Sequence, residues 1–429
     1  MLKRTTWLLA LVPALAAGQQ SQPQCTQPTG GDPNRPFPVC DVRAVITRGP
    51  YLSAPTDTSA TITWMTDVPS HSRVLYGAGA LNREQLSVKD GMIPVGTLHS
   101  VRLTGLQPGR TYQYRVTATP VLELNTYWPK KGQEVESATY SFTTFDSRKP
   151  TTSFVSISDT HESAARIDSI MRRIDWTKTE FLVHTGDAFN GVTSEAQVWD
   201  GWLQPLIKGG LSASKPLLFA RGNHDTRGPF ARELERYVPI EEGRFYYTRE
   251  IGPVHLIVID TGEDKHDSTQ VYARLNRMKE YRASELAWLR EHTRTSARLK
   301  QAPFRIVVMH QPSWGWLDDD TTTARAEWSA AANQAGIDLV IAGHRHRYSL
   351  TAAGGPAGNT YPILVVGQGQ HATVDASETE VRVTVFGNDG NVVGGLTVTR
   401  RPRTDTESGS VGRAMSLSGP RNDERQLAR

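Results

Sequence analysis

Five short motifs carry side chains of metal-ligating type: Asp159-Thr160-His161, Gly186-Asp187, Gly222-Asn223-His224-Asp225, the lone His310, and Gly343-His344-Arg345-His346. Together Asp159, His161, Asp187, Asn223, His310, His344 and His346 offer imidazoles, carboxylates and an amide oxygen. That is the donor set two adjacent divalent cations require, with one carboxylate able to bridge them. Singly the motifs say less. Gly-Asp after a strand is ordinary turn chemistry, and a lone histidine is an ordinary core or surface residue. His344 and His346 are less ordinary, because paired imidazoles beside an apolar run are costly to bury unless bonded or metallated.

Each motif follows an apolar run: FVSIS, FLVHT, PLLFA, FRIVVM and DLVIA. The runs are short, rich in Val, Ile, Leu and Phe, and bounded by Gly or polar residues, which predicts buried strands. All five motifs then fall at strand carboxyl ends. In open α/β sheets that edge is where ligands bind, so side chains from Asp159 to His346 can converge there.

The motif order D-x-H, GD, GNHD, H, GHxH resembles the calcineurin-like metallophosphoesterase superfamily from about Thr152 to Gln370. The intervening RFYYTREIGPVHLIVIDT, the amphipathic ELAWLREH and the MHQPSWG around His310 are similar too. The resemblance implies a four-layer α/β/β/α domain over 151–400 that hydrolyses phosphate esters by attack of a metal-bound hydroxide. It implies one metal on Asp159, His161, Asp187 and His346, and a second on Asp187, Asn223, His310 and His344. The metals would be two divalent or mixed-valence ions, with iron, manganese and zinc all compatible with nitrogen and oxygen donors. His224 lies outside this ligand set and is placed to protonate the leaving alkoxide, a task whose ideal pKa is near that of imidazole.

Upstream, 44–146 shows alternating strands, ATITWMT, SRVLYG, HSVRLTGL, TYQYRVTA and ATYSFTTF, spaced by turn signals such as Pro108-Gly109. The pattern predicts a β-sandwich with Trp64 and Tyr112 in its core. The stretch LTGLQPGRTYQYRV resembles the corner of fibronectin type III domains, and similar domains precede the catalytic domain of purple acid phosphatases. Those enzymes place an iron-binding tyrosine three residues after the aspartate of the GD motif. Here that place is Asn190, whereas His161 is a residue they usually lack. The fold expectation is therefore an α+β multidomain chain, a fibronectin-like sandwich followed by the metallophosphoesterase domain.

The remaining segments bound the setting. Met1 to Ala17 has a basic start, Lys3 and Arg4, then WLLALVPALAA, a run too short to span a bilayer. With its small residues it reads as a cleavable signal over 1–18, which implies a secreted or periplasmic protein without stable membrane insertion, the alternative being an uncleaved interfacial anchor. Cys25 and Cys40 lie in a Pro- and Gln-rich tether, 19–43, where an oxidising compartment favours their pairing. The net charge of +4 resides in Lys3, Arg4 and the tail 401–429, whose composition predicts disorder. The body is neutral, so charge gives no argument for a nucleic-acid partner. A small phosphate ester is the expected substrate.

Other candidates share the expected edge. Arg221, Arg227 and Asn190 are candidate substrate contacts, the arginines as phosphate clamps. His184, on the strand before Asp187, reads as a buried hydrogen-bonded histidine. Trp314, Trp316 and His371 either shape a pocket or pack, and Asp318 to Asp320 read as a solvated acidic run. Asp225 either orients the loop or serves a turn. A phosphodiesterase shares the whole ligand set and remains the alternative activity. A binding module with a vestigial metal site is disfavoured because no key side chain is missing.

Overall fold

The structure, a computed structural model, describes residues 24–26, 39–208, 213–240, 243–312, 321–354 and 358–401. The expected signal, most of the tether, Trp314, Trp316, Asp318 to Asp320 and the tail beyond Arg401 lie outside the described residues.

The region after the N-terminal β domain is built on two facing sheets. In the first, Thr151–Ile157 and Leu217–Phe219 run parallel to Phe181–His184 between them. The hairpins His371–Ser377, Glu380–Phe386 and Val392–Thr399 extend it antiparallel. In the second, Val254–Val258, Phe304–Val308, Leu339–Ala342 and Ile363–Val365 are parallel, flanked by Tyr247–Ile251 and Ser349–Thr351.

Strand alternation builds the layers. Phe154, Phe181, Val183, Leu218, Leu256, Val258, Ile306, Val308 and Ile341 pack between the sheets. Their neighbours Val155, Ile157, Leu182 and Phe219 face outward to Trp199, Trp202 and the helix Ala164–Met171. That helix buries Ile167, Ile170 and Met171, an i, i+3, i+4 stripe. On the other flank, Ile257, Val307, Met309 and Val340 meet Leu286 and Leu289 of Met278–Thr295 and Trp328 of Thr321–Gln334. Burial on both faces explains why these strands read as continuous apolar runs. The order is α/β/β/α, with an N-terminal β domain ahead of it.

That β domain buries Ile62, Trp64, Val74, Tyr76, Val101, Tyr112, Tyr114 and Phe142. The Tyr112 hydroxyl accepts from the Gln107 backbone at 2.9 Å, closing the corner. Two of its expected strands are one: Ala60–Gly77 runs through Pro69, pairing first with Gly96–Leu103 and then with Thr111–Glu123 across a register shift after Met65. The expected tether is also partly regular. Val39–Arg43 forms a strand beside Lys130–Gln133, and Cys40 within it is bonded to Cys25.

The β domain is joined to the first of the two facing sheets. Ser53 at the end of Ile46–Ser53 pairs with Leu217, making one continuous sheet. Tyr51 packs edge-on against Trp199 and donates to the Tyr237 carbonyl, and the Tyr114 hydroxyl donates to the Ala213 carbonyl at 2.8 Å. Arg48 pairs with Asp200 at 2.7 Å.

Candidate metal centre

All five motif-bearing strands end at one edge, and their loops interlock there. The Asp159 N–H donates to the Gly186 carbonyl and that of His161 to the Asp187 carbonyl, at 3.0 and 3.1 Å. The two sheets are tied by the Gly343 N–H on the His310 carbonyl at 2.9 Å and by His310 Nδ1–H on the Thr185 carbonyl at 2.8 Å. Asp225 is a loop clamp: its carboxylate accepts from the backbone of Asp187, Phe189 and Gly222 at 2.9, 3.2 and 2.8 Å. Of the two roles open to it, orienting the loops is the one these bonds serve.

The backbone here is unusual. Asp159, His161, Asp187, His344 and His346 all adopt positive φ, between 46° and 72°. L-residues occupy that region only where surrounding structure imposes it, and such strain gathers at functional sites. Gly186, at φ +88°, is required twice over, since a Cβ there would stand 2.6 Å from His310 Nδ1. At Gly222 a Cβ would overlap the Asp187 carboxylate.

The side chains converge in two groups that could each hold a cation, Asp159, His161, Asp187 and His346 in one and Asp187, His310 and His344 in the other. Asp187 belongs to both. His346 Nε2 lies 3.2 Å from Asp159 Oδ1 and 3.1 Å from His161 Nε2. In the second group His310 Nε2 lies 3.0 Å from Asp187 Oδ2, and His344 Nδ1 lies 3.1 Å from Asn223 Oδ1. Asn223 thus joins the second group through its amide oxygen.

The donor chemistry fits cations. Asp159 Oδ1 and His310 Nε2 are buried without a hydrogen bond of acceptable geometry, although each has a close counter-charge. Burial opposes a charged His310, but Asp187 and then Asp159 outweigh it and hold its pKa well above the usual value. Burial would likewise raise Asp187, yet His310 and the His224 backbone hold it well below the carboxylate range. Two buried carboxylates facing these imidazoles place negative charge where a bound cation would neutralise it. His344 is pushed down to about 4 by burial and then by His310, which keeps it in the neutral form that ligates.

His224 stands beside this centre. Its N–H donates to Asp187 Oδ1 at 2.9 Å, and its ring meets that of His161 edge-on at 5.4 Å. Nδ1 donates to the Asn190 carbonyl at 2.9 Å. Arg227 Nη1 lies 3.2 Å from both His224 ring nitrogens.

The other candidates divide. The Asn190 side chain donates to Glu162 at 2.9 Å. Arg221 is turned away: it pairs with buried Asp260 at 2.6 Å and lies over the Phe245 ring, so it anchors the core instead of clamping phosphate. His184 is buried with Nε2 2.9 Å from the Thr160 hydroxyl, beneath the Asp159 loop. His371 is buried and stacked on Phe386, a packing role. Sequence reasoning missed Glu162, Glu263 and Asp264. Glu263 and Asp264 hold Arg227 at 2.5 and 2.7 Å. Their signal was present, two acids following the apolar run VHLIVI at the same edge.

The fold and this centre are those of a metal-dependent phosphoesterase. Residues 152–348 match the calcineurin-like phosphoesterase family, and 48–144 match the purple acid phosphatase N-terminal domain. The chain carries both domains in that order. It is 24% identical to acid phosphatase type 7 of Mus musculus over 325 residues, 70% of this chain and 68% of that protein. The Homo sapiens protein of the same name is 24% identical over 333 residues, 70% and 69% of the two chains. Purple acid phosphatase PPD1 from yellow lupin seeds shares the fold, with a TM-score of 0.62 at 16% identity, covering 87% of this chain and 79% of that one. Among the described residues no helix is long and apolar enough to cross a membrane.

Proposed function

We propose that the chain hydrolyses phosphate monoesters, with His224 as the general acid. The observation that carries this reading is the place of His224, bonded through its backbone to Asp187 yet absent from both ligand groups. In this reading Asp159, His161, Asp187 and His346 hold one cation, and Asp187, Asn223, His310 and His344 the other. Two cations held there polarise phosphoryl oxygens and activate a water as nucleophile.

The rest falls to the chain. Water adds to phosphorus, the ester P–O bond breaks, and phosphate and an alcohol leave. Because a carbonyl only accepts, Asn190 fixes Nδ1 of His224 as a donor and leaves Nε2 to exchange a proton with the departing oxygen. Arg227 beside it is itself held by Glu263 and Asp264. The relatives' name, acid phosphatase, supports a monoester substrate.

The test is turnover of an aryl phosphate monoester against the matching bis-aryl diester, with metals quantified on the same sample. The monoester should show the higher kcat/KM with about two metals bound. A higher kcat/KM on the diester would replace this reading with a phosphodiesterase. Export belongs to the same proposal, supported by the Cys25–Cys40 bond. Mature protein that retained residues 1–18 would refute it.

A further inference from the structure

Beyond His224 the surface opens into a cavity of about 400 Å³, walled by Arg227, Pro229, Arg232, Val271, Tyr272 and Leu275 among others. Arg227 belongs both to this wall and to the surroundings of His224, so one residue links the cavity to the proposed general acid. Three features make it a built recess. Its inner wall is anchored, because Arg227 is held by Glu263 and Asp264, and the Tyr272 hydroxyl bonds to Glu263 as well. Its outer wall is apolar and open to water, with Val271 76% and Leu275 69% exposed. Val271 and Leu275 lie on one short loop and line the same cavity, so together they form its apolar side. Its rim carries one exposed cation. Arg227 is held by two carboxylates, whereas Arg232 on the rim has no ion-pair partner among the described residues.

We propose that this cavity is the leaving-group subsite, and that it selects an aromatic alcohol carrying its own negative charge. The inference rests on the monoesterase reading. A phosphoryl group at the Asp187 centre places its ester oxygen toward His224, and the organic part then extends past Arg227 into the recess. Val271, Leu275 and the Tyr272 ring cover a planar apolar group, and Arg232 meets an acidic substituent at its far end. The volume suits one substituted ring, being at the small end of ligand pockets. Contacts to a remote part of the substrate persist from ground state to transition state, so they set KM more than kcat.

The experiment compares methyl phosphate, phenyl phosphate and 4-carboxyphenyl phosphate on the wild type, a Val271→Ser/Leu275→Ser double variant and Arg232→Gln. All three positions are at the surface, outside the metal centre. Loss of the apolar wall should raise KM for both aryl esters about fivefold or more, while methyl phosphate stays within about twofold. Arg232→Gln should raise KM for the carboxyphenyl ester alone, by about threefold, the size of an exposed ion pair. Binding of 4-hydroxybenzoate, the released alcohol, is measured in parallel by NMR titration and should weaken in both variants. Equal effects on all three esters, or 4-hydroxybenzoate binding unchanged by the substitutions, would overturn the subsite. Inactivity of the wild type on every monoester, with 4-hydroxybenzoate still bound and weakened in the variants, would refute the monoesterase reading while leaving the ligand class of the cavity standing.

Discussion

The backbone N–H of His224 donates to Asp187 Oδ1 at 2.9 Å, so the residue shared by both ligand groups also fixes the residue that belongs to neither. Substitution should separate the two roles. His224→Ala keeps the backbone bond and should retain about two metals while slowing a poor leaving group by about 10²- to 10⁴-fold. An activated aryl ester, whose phenolate needs little protonation, should suffer less. Asp187→Ala removes a ligand from both groups and should lose metal and turnover together. Metal analysis with rates on good and poor leaving groups decides it: loss of a metal from His224→Ala, or equal slowing of both esters, would make His224 a ligand or a phosphate-positioning residue.

Gly186→Ala should damage the centre without touching a ligand. The position sits at φ +88°, and the new methyl group would meet the His310 ring. The conformation alone costs about 1–2 kcal/mol, and the clash displaces His310 from Asp187. The variant should melt several degrees lower and bind its second metal more weakly. An alanine variant with wild-type metal content would show that the Gly186 loop shifts freely, contrary to its bonds with Asp159 and Ser158.

Colour provides a separate check on the ligands. Asn190 stands where the purple enzymes have their tyrosinate, and its side chain is bonded to Glu162. Iron-loaded, oxidised protein should therefore lack an intense visible charge-transfer band. A purple sample whose band vanishes on mutation of a tyrosine would mean that another residue supplies the phenolate.

Much of this architecture was legible because buried parallel strands write themselves as short apolar runs. Thr151–Ile157, Phe181–His184 and Phe304–Val308 end just before Asp159, Asp187 and His310, so local pattern was enough to gather the ligands. Ala60–Gly77 was not legible as one strand, since Asp67 and Pro69 look like punctuation, and only pairing with two different partners carries it through. Arg221 and Arg227 were indistinguishable in sequence. One turns to Asp260 and the other reaches His224, a difference set by acids from the loop after Val254–Val258, which no local pattern connects to either arginine.

His99 makes the β domain sensitive to acid. It is buried against Trp64, with Nε2 and Nδ1 each 2.9 Å from a hydroxyl, those of Thr66 and Ser72. Burial, and then His71, push its pKa down to about 4, from an ordinary value of 6.5. Above pH 6.5 both folded and unfolded forms carry a neutral ring, so the stabilising effect is fully present. Between 6.5 and 4 the unfolded chain takes up a proton that the folded one refuses, and stability falls as pH falls, by an amount on the order of 2–3 kcal/mol at the lower end. His99→Gln keeps a polar group for the two hydroxyls but cannot titrate. Its stability gap to the wild type, measured by denaturant unfolding, should therefore narrow as pH is lowered through this window. A gap that stayed constant from pH 7 to 4 would show that His99 is protonated in the folded domain as readily as outside it.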